Sequence, residues 1–133
     1  MTVQFSVARR NARADASETA IGTSPKFQLR TGAPPANCAA ASTGTLLIEI
    51  TLGADWSPNA AGGVKTFTTP FGSTAVATGA IGHYRLFDNA GTTCHEQGTA
   101  GTAGTDIITD AASVSSIGQT INVTSWTQTE GNA

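Results

Sequence analysis

The residues best suited to chemistry in this sequence are its two cysteines and two histidines. Cys94, His95 and Glu96 are consecutive, and His83 precedes them in the same short segment. A thiol beside an imidazole and a carboxylate is a residue set used for nucleophilic catalysis. Cysteine and histidine are also the residues that most often bind zinc. What these side chains can do depends on the local structure that positions them.

The segment from 82 to 98 is typical of a β-hairpin. Its turn, Asp88-Asn89-Ala90-Gly91, suits a three-residue loop with glycine in the left-handed conformation. With residues 89–91 as the loop, Leu86 faces Cys94 and Asp88 faces Thr92. This register places Tyr84, Leu86 and Cys94 on one face, and His83, Arg85, His95 and Gln97 on the other. Neighbouring residues of a strand point to opposite faces, so Cys94 and His95 cannot form a catalytic pair directly.

The rest of the sequence supplies no catalytic or metal-binding motif. It contains no Gly-x-Ser-x-Gly elbow, no phosphate-binding loop that opens a helix and no His-Glu-x-x-His. The two cysteines and two histidines do not have the spacing of zinc ligands. We therefore expect no enzyme activity, no catalytic residue, no cofactor and no bound metal.

Cys38 and Cys94 allow two interpretations. A bridge between them would close a long loop and could add about 4 kcal/mol of stability. Thiols in a reducing cytoplasm normally stay reduced, which favours two buried free thiols instead. The sequence leaves this choice open.

Composition limits the class of protein. A chain of 133 residues is the usual size of one domain, so we treat 1–133 as a single unit. The net charge of −2 and a charged fraction of 12% argue against a basic nucleic-acid-binding protein and a charge-driven disordered chain. No apolar stretch has the length of a membrane span, and the arginines near the N-terminus precede no signal-peptide core. We expect synthesis in the cytoplasm, with no membrane or nucleic-acid partner.

One helix and many short strands are predicted. Residues 7–21 have helical character, with Ser6 as the N-cap and Gly22 after the last turn. The strands are expected at 26–31, 45–52, 66–69, 73–78, 82–88, 92–98, 106–109 and 120–128, with Pro70-Phe71-Gly72 as a turn. One N-terminal helix followed by these strands predicts a mainly β fold, an antiparallel β-sandwich of jelly-roll type.

Two features are candidates for contact with a partner. Arg9, Arg10 and Arg13 crowd the first half of the helix, an order that opposes the helix dipole and that a partner surface would explain; a solvated polar face is the alternative. Trp56 lies in the long loop 54–65 and either contacts a partner or folds back over the core. A further alternative is a sugar-binding module in which Trp56, Trp126 and Tyr84 stack on a glycan.

Five segments carry a resemblance that runs from the helix to the C-terminus. They are 9–13 (Arg-Arg-Asn-Ala-Arg), 19–25 (Thr-Ala-Ile-Gly-Thr-Ser-Pro), 31–38 (Thr-Gly-Ala-Pro-Pro-Ala-Asn-Cys), 84–95 (Tyr-Arg-Leu-Phe-Asp-Asn-Ala-Gly-Thr-Thr-Cys-His) and 127–133 (Thr-Gln-Thr-Glu-Gly-Asn-Ala). In these segments the chain resembles a family of small virion structural proteins of tailed bacteriophages and prophages. The motifs are structural rather than chemical.

The resemblance implies a structural role in a virus particle. The role it suggests is a capsid cement or decoration protein on the exterior of the head, made in the host cytoplasm. Its expected partners are the major capsid protein and further copies of itself, in a homodimer or homotrimer. A tail or head-tail connector component is the nearer alternative, and a carbohydrate-binding adhesion module the more distant one.

Overall fold

The computed structural model describes residues 2–132, which form one helix and nine strands. The helix α1 spans Val7–Ile21. The strands are β1 (Lys26–Thr31), β2 (Leu46–Thr51), β3 (Val64–Thr66), β4 (Phe71–Thr74), β5 (Gly79–Phe87), β6 (Cys94–Gly101), β7 (Ile107–Thr109), β8 (Ser113–Val114) and β9 (Thr120–Thr129).

Helix α1 has the bounds that the sequence predicts. The Ser6 hydroxyl accepts a hydrogen bond from the Arg9 amide at 3.2 Å, and Gly22 ends the helix with a φ of 90°. Ala14 and Ile21 are its buried side chains. No helix among residues 2–132 is long and apolar enough to cross a membrane.

A buried lysine attaches the helix to the sheet. The side chain of Lys65, on β3, is fully buried, and its ammonium lies 2.7 Å from the Asp15 carboxylate and 3.4 Å from Glu18. The hydrogen bonds that Asp15 accepts from Lys65 and from the Ala60 amide lower the pKa of its carboxyl group. The polar residues in the second half of α1 therefore balance a cation that the core would otherwise exclude.

The strands form a curled, mixed sheet that closes about half of a barrel. Its order is β2-β1-β5-β6-β7-β9-β3, with β4 also paired to β9 and β8 to β5. The mainly β class with one N-terminal helix is confirmed. The expected wholly antiparallel arrangement is wrong at one pair, because β6 and β7 run in parallel.

The parallel pair has a local cause. The Asp106 carboxylate accepts hydrogen bonds from the Thr99 amide at 2.8 Å and from its hydroxyl at 3.0 Å. These bonds return the chain to the level of Thr99, so that β7 starts beside β6 and must run in the same direction. Ala100 thereby pairs with Ile107.

Strand boundaries differ from expectation between residues 64 and 78. Phe71 and Gly72, expected in a turn, begin β4 and pair with Val123 and Asn122 of β9. A Cβ atom on Gly72 would lie 2.3 Å from the Ile121 carbonyl oxygen, so only glycine allows the two backbones to come this close. Pairing with a distant strand replaces the local turn that the Pro-Phe-Gly pattern predicts.

Aromatic rings centred on Trp126 fill the core. The Phe67 ring stacks on the Trp126 ring with centroids 3.9 Å apart, and five aromatic side chains surround Trp126 in all. They are Phe27, Trp56, Phe67, Phe71 and Tyr84. Since these five residues come from three strands and two loops, Trp126 on β9 joins distant parts of the chain.

Candidate functional site

The hairpin exists, but its register differs from the predicted one. Leu86 pairs with Glu96 and Phe87 pairs with Cys94, with an irregularity between the two pairs that leaves His95 as the extra residue of β6. The turn is held by Asp88, whose carboxylate accepts from the amides of Thr92 and Thr93 at 2.9 and 3.2 Å. These hydrogen bonds from backbone amides lower the pKa of the Asp88 carboxyl group because they stabilise its anion.

The shifted register moves Cys94 to the other face of the hairpin. Cys94 lies on the face of Phe87 and Arg85, whereas Glu96 lies on the face of Leu86. The prediction that Cys94 shares a face with Tyr84 and Leu86 is therefore wrong. On the opposite face from Cys94, the Tyr84 hydroxyl donates to the Glu96 carboxylate at 2.5 Å.

The polar face of β5 is buried beneath the irregular segment 32–44, which we call the 32–44 loop. The side chains of His83 and Arg85 are fully buried there. The Arg85 guanidinium donates to the carbonyl oxygens of Cys38 and Ala40 at 2.9 and 3.0 Å, and to the Ser42 hydroxyl at 2.8 Å. Within residues 2–132 no carboxylate forms an ion pair with Arg85, so loop dipoles solvate its charge.

His83 holds the start of the same loop. Its Nδ1 lies 2.8 Å from the carbonyl oxygen of Gly32 and donates to it. Burial lowers the pKa of His83, and the positive charges of Arg30 and Arg85 act in the same direction. The imidazole is therefore neutral at physiological pH, and among the described residues its buried Nε2 has no hydrogen-bond partner.

Cys38 and Cys94 meet at the edge of this layer. Both are free thiols, and their sulfur atoms are 3.1 Å apart. Burial and the neighbouring Cys94 thiol raise the pKa of Cys38 to about 11, against the opposing effect of Arg85. Cys38 is therefore a thiol and not a thiolate at neutral pH.

A polar cavity of about 540 Å³ opens between α1 and the sheet. Its lining is Ser17, Ala20, Ile21, Tyr84, His95, Glu96, Gln97, Asp106, Thr127 and Gln128. Glu96 is its anchored carboxylate, since it accepts from the Tyr84 hydroxyl and, at 3.2 Å, from the Trp126 indole. Burial and the charge of Glu96 raise the pKa of Tyr84, which stays a protonated donor.

The carboxylates of the polar cavity are engaged within the chain. Its two carboxylates are already engaged, Glu96 with Tyr84 and Trp126, and Asp106 with Thr99. Within the described chain, no three His, Cys, Asp or Glu side chains cluster as metal ligands would. The sequence does not predict this cavity, because helix α1, the segment before β7 that carries Asp106 and strand β9 with Gln128 meet there only in the folded chain.

The predicted contact residues have partners within the chain. Arg13 pairs with Glu130 at 3.2 Å, Arg10 donates to the Gly62 carbonyl at 3.3 Å, and Arg9 stacks on the Phe5 ring. These contacts with Glu130, Gly62 and Phe5 explain why α1 carries arginines in its first half, although this order of charges opposes the helix dipole. A role for these arginines in binding a partner stays a prediction.

Trp56 folds over the core, the second of its two predicted placements. Only 7% of it is exposed, its ring stacks on Phe67, and its indole donates to the Gly22 carbonyl at 2.9 Å. Its ring therefore offers little surface to a partner.

Exposed apolar side chains mark a different surface. Val76 and Ile117 are 61% and 71% exposed, in the loops that precede β5 and β9. Backbone hydrogen bonds from Ala75 to Gln119 and from Gly118 to Ala75, at 2.9 and 2.8 Å, hold the two loops side by side. We call this pair of side chains the apolar tip.

Comparison with known proteins adds no assignment for any of these residues. No protein-family model matches the chain, and neither a curated protein nor a solved structure is significantly similar to it.

Proposed function

We propose that this protein is a bacteriophage virion structural protein, a cement or decoration protein that binds the assembled head and stabilises it. Its partners are the major capsid protein and further copies of itself, on the exterior of the particle. The predicted β-sandwich of jelly-roll type is part of the same proposal. Its basis is the resemblance in five segments from the helix to the C-terminus.

The apolar tip is the structural observation that supports this proposal best. Two large aliphatic side chains are exposed to solvent on neighbouring loops. Their burial by a partner would stabilise the complex by about 1.5–3 kcal/mol for each side chain that is completely buried. A dimer or trimer would make such a contact two or three times in one linked assembly, which raises its overall affinity for a symmetric shell. The patch also carries no charge that the capsid would have to neutralise.

Binding to undecorated capsids tests the proposal. Capsids are assembled without this protein from the phage or prophage that encodes it, and the purified chain is sedimented with them. We expect saturable binding and a rise in the temperature at which the capsids disassemble. A chain that stays in the supernatant at every concentration contradicts the proposal.

A matched pair of variants locates the contact. Val76→Ser with Ile117→Ser removes the apolar tip and should weaken capsid binding by about tenfold or more. Val3→Ser with Val7→Ser is the control, because these two valines are 66% and 50% exposed but lie at the N-terminus. Weaker binding of the Val3→Ser, Val7→Ser variant, with unchanged binding of the other double variant, would place the contact at the N-terminal segment and helix α1, beside Arg9 and Arg13.

Two further measurements separate the alternatives. Light scattering of the free protein should give a dimer or trimer, and a strict monomer would contradict self-association before docking. A cryo-EM map of the particle distinguishes a decoration protein from a tail or connector component, because density for this chain would lie on the head in the first case alone.

The polar cavity favours carbohydrate binding as the second candidate function. Carboxylate, amide and hydroxyl groups match the hydroxyls of a sugar, whereas Trp56, Trp126 and Tyr84 are too buried to stack on one. A glycan array with the wild type and Glu96→Gln tests this function. Hits that vanish in the variant, together with failure to bind capsids, would favour it over decoration.

A further inference from the structure

The two cysteines are placed for a bond that they do not make in the reduced protein. Their sulfur atoms lie 3.1 Å apart, and a disulfide requires about 2.05 Å, so each atom needs to move by only about half an ångström. Cys94 is on the paired strand β6, and Cys38 is in the 32–44 loop, outside every strand. Closing the bond therefore needs no rearrangement of the sheet.

Polar contacts hold Cys38 in place independently of its sulfur atom. The Arg85 guanidinium binds the carbonyl oxygen of Cys38 itself and that of Ala40. Gln97, three residues after Cys94, donates to the Pro35 carbonyl at 2.6 Å. The loop is thus tied to β5 and β6 on both sides of Cys38, which keeps the two thiols together at a high effective concentration.

We propose that Cys38 and Cys94 are a redox-active dithiol that a low-molecular-weight disulfide, such as oxidised glutathione, converts into an intramolecular disulfide, covalently fastening the 32–44 loop to β6. One protein thiolate attacks oxidised glutathione, forms a mixed disulfide and releases one glutathione, which takes up a proton. The second thiolate then attacks the protein sulfur of the mixed disulfide and expels the second glutathione. Two protein thiols lose two electrons, and one glutathione disulfide becomes two thiols.

Oxidation seals the layer that the loop covers. While the thiols are reduced, only noncovalent contacts hold the 32–44 loop against β5 and β6, and opening of the loop would hydrate the buried Arg85 and His83. The disulfide closes a loop between positions 56 residues apart, which restricts the unfolded chain and raises the melting temperature. The protein is therefore more labile in a reducing compartment than outside it.

The charged and titratable groups around Cys38 and Cys94 determine the rate at which the disulfide forms. Burial, the Cys94 thiol and the Glu96 carboxylate raise the pKa of Cys38, and only the Arg85 guanidinium lowers it. Little Cys38 thiolate exists at pH 7, so closure is expected to be slow there and to accelerate as the pH rises towards 9.

Incubation of the reduced 133-residue chain with oxidised glutathione tests the proposal. We expect both thiols to disappear, the intact mass to fall by two hydrogen atoms with no glutathione attached, and the melting temperature to rise by about 10 °C or more. Dithiothreitol should reverse all three changes. Thiols that persist at pH 9, a stable glutathione adduct, or a disulfide between two chains would each overturn the proposal.

Variants show whether the pairing is specific. Cys38→Ser and Cys94→Ser each leave one thiol, which should stop at the glutathione adduct with no rise in melting temperature. Arg85→Met keeps both thiols but releases the carbonyls beside Cys38, so the disulfide should close several-fold more slowly. Closure at the wild-type rate in Arg85→Met would show that Arg85 does not position the loop.

Discussion

The two faces of strand β5 are both buried, but by different means. On one face, Tyr84 and Leu86 pack into the aromatic core, where burial itself supplies the free energy. On the other face, His83 and Arg85 lie under the 32–44 loop, where burial costs free energy unless hydrogen bonds replace water. The apolar face is stable with any well-packed neighbours, whereas the polar face depends on directional contacts to particular loop atoms.

This difference predicts two kinds of response to mutation. Damage to the apolar face should weaken the whole domain, because the core joins most of the strands. Damage to the polar face should free the loop first and leave the sheet largely intact. Four substitutions distinguish these responses, in order of decreasing expected effect.

Trp126→Ala should produce the largest loss of stability. It removes the ring around which the other core aromatics are arranged, so we expect the free energy of unfolding to fall by about 4 kcal/mol. Urea denaturation followed by circular dichroism measures the change. Trp126→Phe, which keeps an aromatic ring, should lose distinctly less. A loss below about 1 kcal/mol in Trp126→Ala would contradict a core centred on this residue.

Gly82→Ala should be the next most damaging change. A Cβ atom at position 82 would lie 2.1 Å from the Gly32 carbonyl oxygen, where β5 passes the start of the 32–44 loop. The backbones must separate, at an expected cost of about 2–3 kcal/mol. Gly53→Ala is the matched control, because a Cβ atom there meets nothing within 4 Å. Equal melting temperatures of the two variants would exclude this close approach.

Arg85→Met should have a smaller global effect. The variant leaves the loop carbonyls of Cys38 and Ala40 without their donor, but it also removes a buried charge that has no counterion in the described chain. These contributions oppose each other, and we expect a net loss of about 1–2 kcal/mol in urea denaturation. Arg85→Lys keeps the charge but not the branched donor geometry, so it should not restore stability. A loss as large as that of Trp126→Ala would show that the two faces do not differ.

His83 should give the smallest effect, visible as a dependence on pH. Its pKa is below the ordinary value when folded and ordinary when unfolded, so the unfolded chain takes up a proton first as the pH falls. The contribution of neutral His83 to the free energy of unfolding should be present above about pH 6.5, the ordinary pKa of the unfolded chain. It should be lost as the pH falls from there through the lower pKa of the folded state. His83→Gln should remove this part of the pH dependence in melting curves from pH 7.5 to 5. An unchanged dependence in the variant would assign it to other groups.

The helix and the division of β5 into two faces could be predicted from the sequence. Ser6 and Gly22 are strong local signals, and they place both ends of α1 at the observed residues. The alternation along β5 separated Tyr84 and Leu86 from His83 and Arg85. Both predictions depend on neighbouring residues alone, which is why they succeed without knowledge of the rest of the chain.

The burial of the polar face and the position of Cys94 could not be predicted in the same way. Alternation predicts which residues share a face but not whether a distant loop covers it. The extra residue at His95 moves Cys94 across the hairpin, and the turn sequence does not reveal it. The polar cavity likewise depends on Asp106 and Gln128, which only the complete sheet brings together. Each miss comes from contacts between segments that are far apart in sequence.

Hydrogen exchange tests the central contrast between the two faces most directly. Peptide-level exchange of the reduced wild type and of Arg85→Met should be compared at the same pH and temperature. We expect the peptide that contains the Ala40 amide, which donates to the Asn37 carbonyl within the 32–44 loop at 3.2 Å, to exchange at least several-fold faster in the variant, while amides of β5 and β9 keep their protection. Uniformly faster exchange throughout the domain, or no change in the 32–44 loop, would contradict the conclusion that Arg85 holds this loop over the polar face.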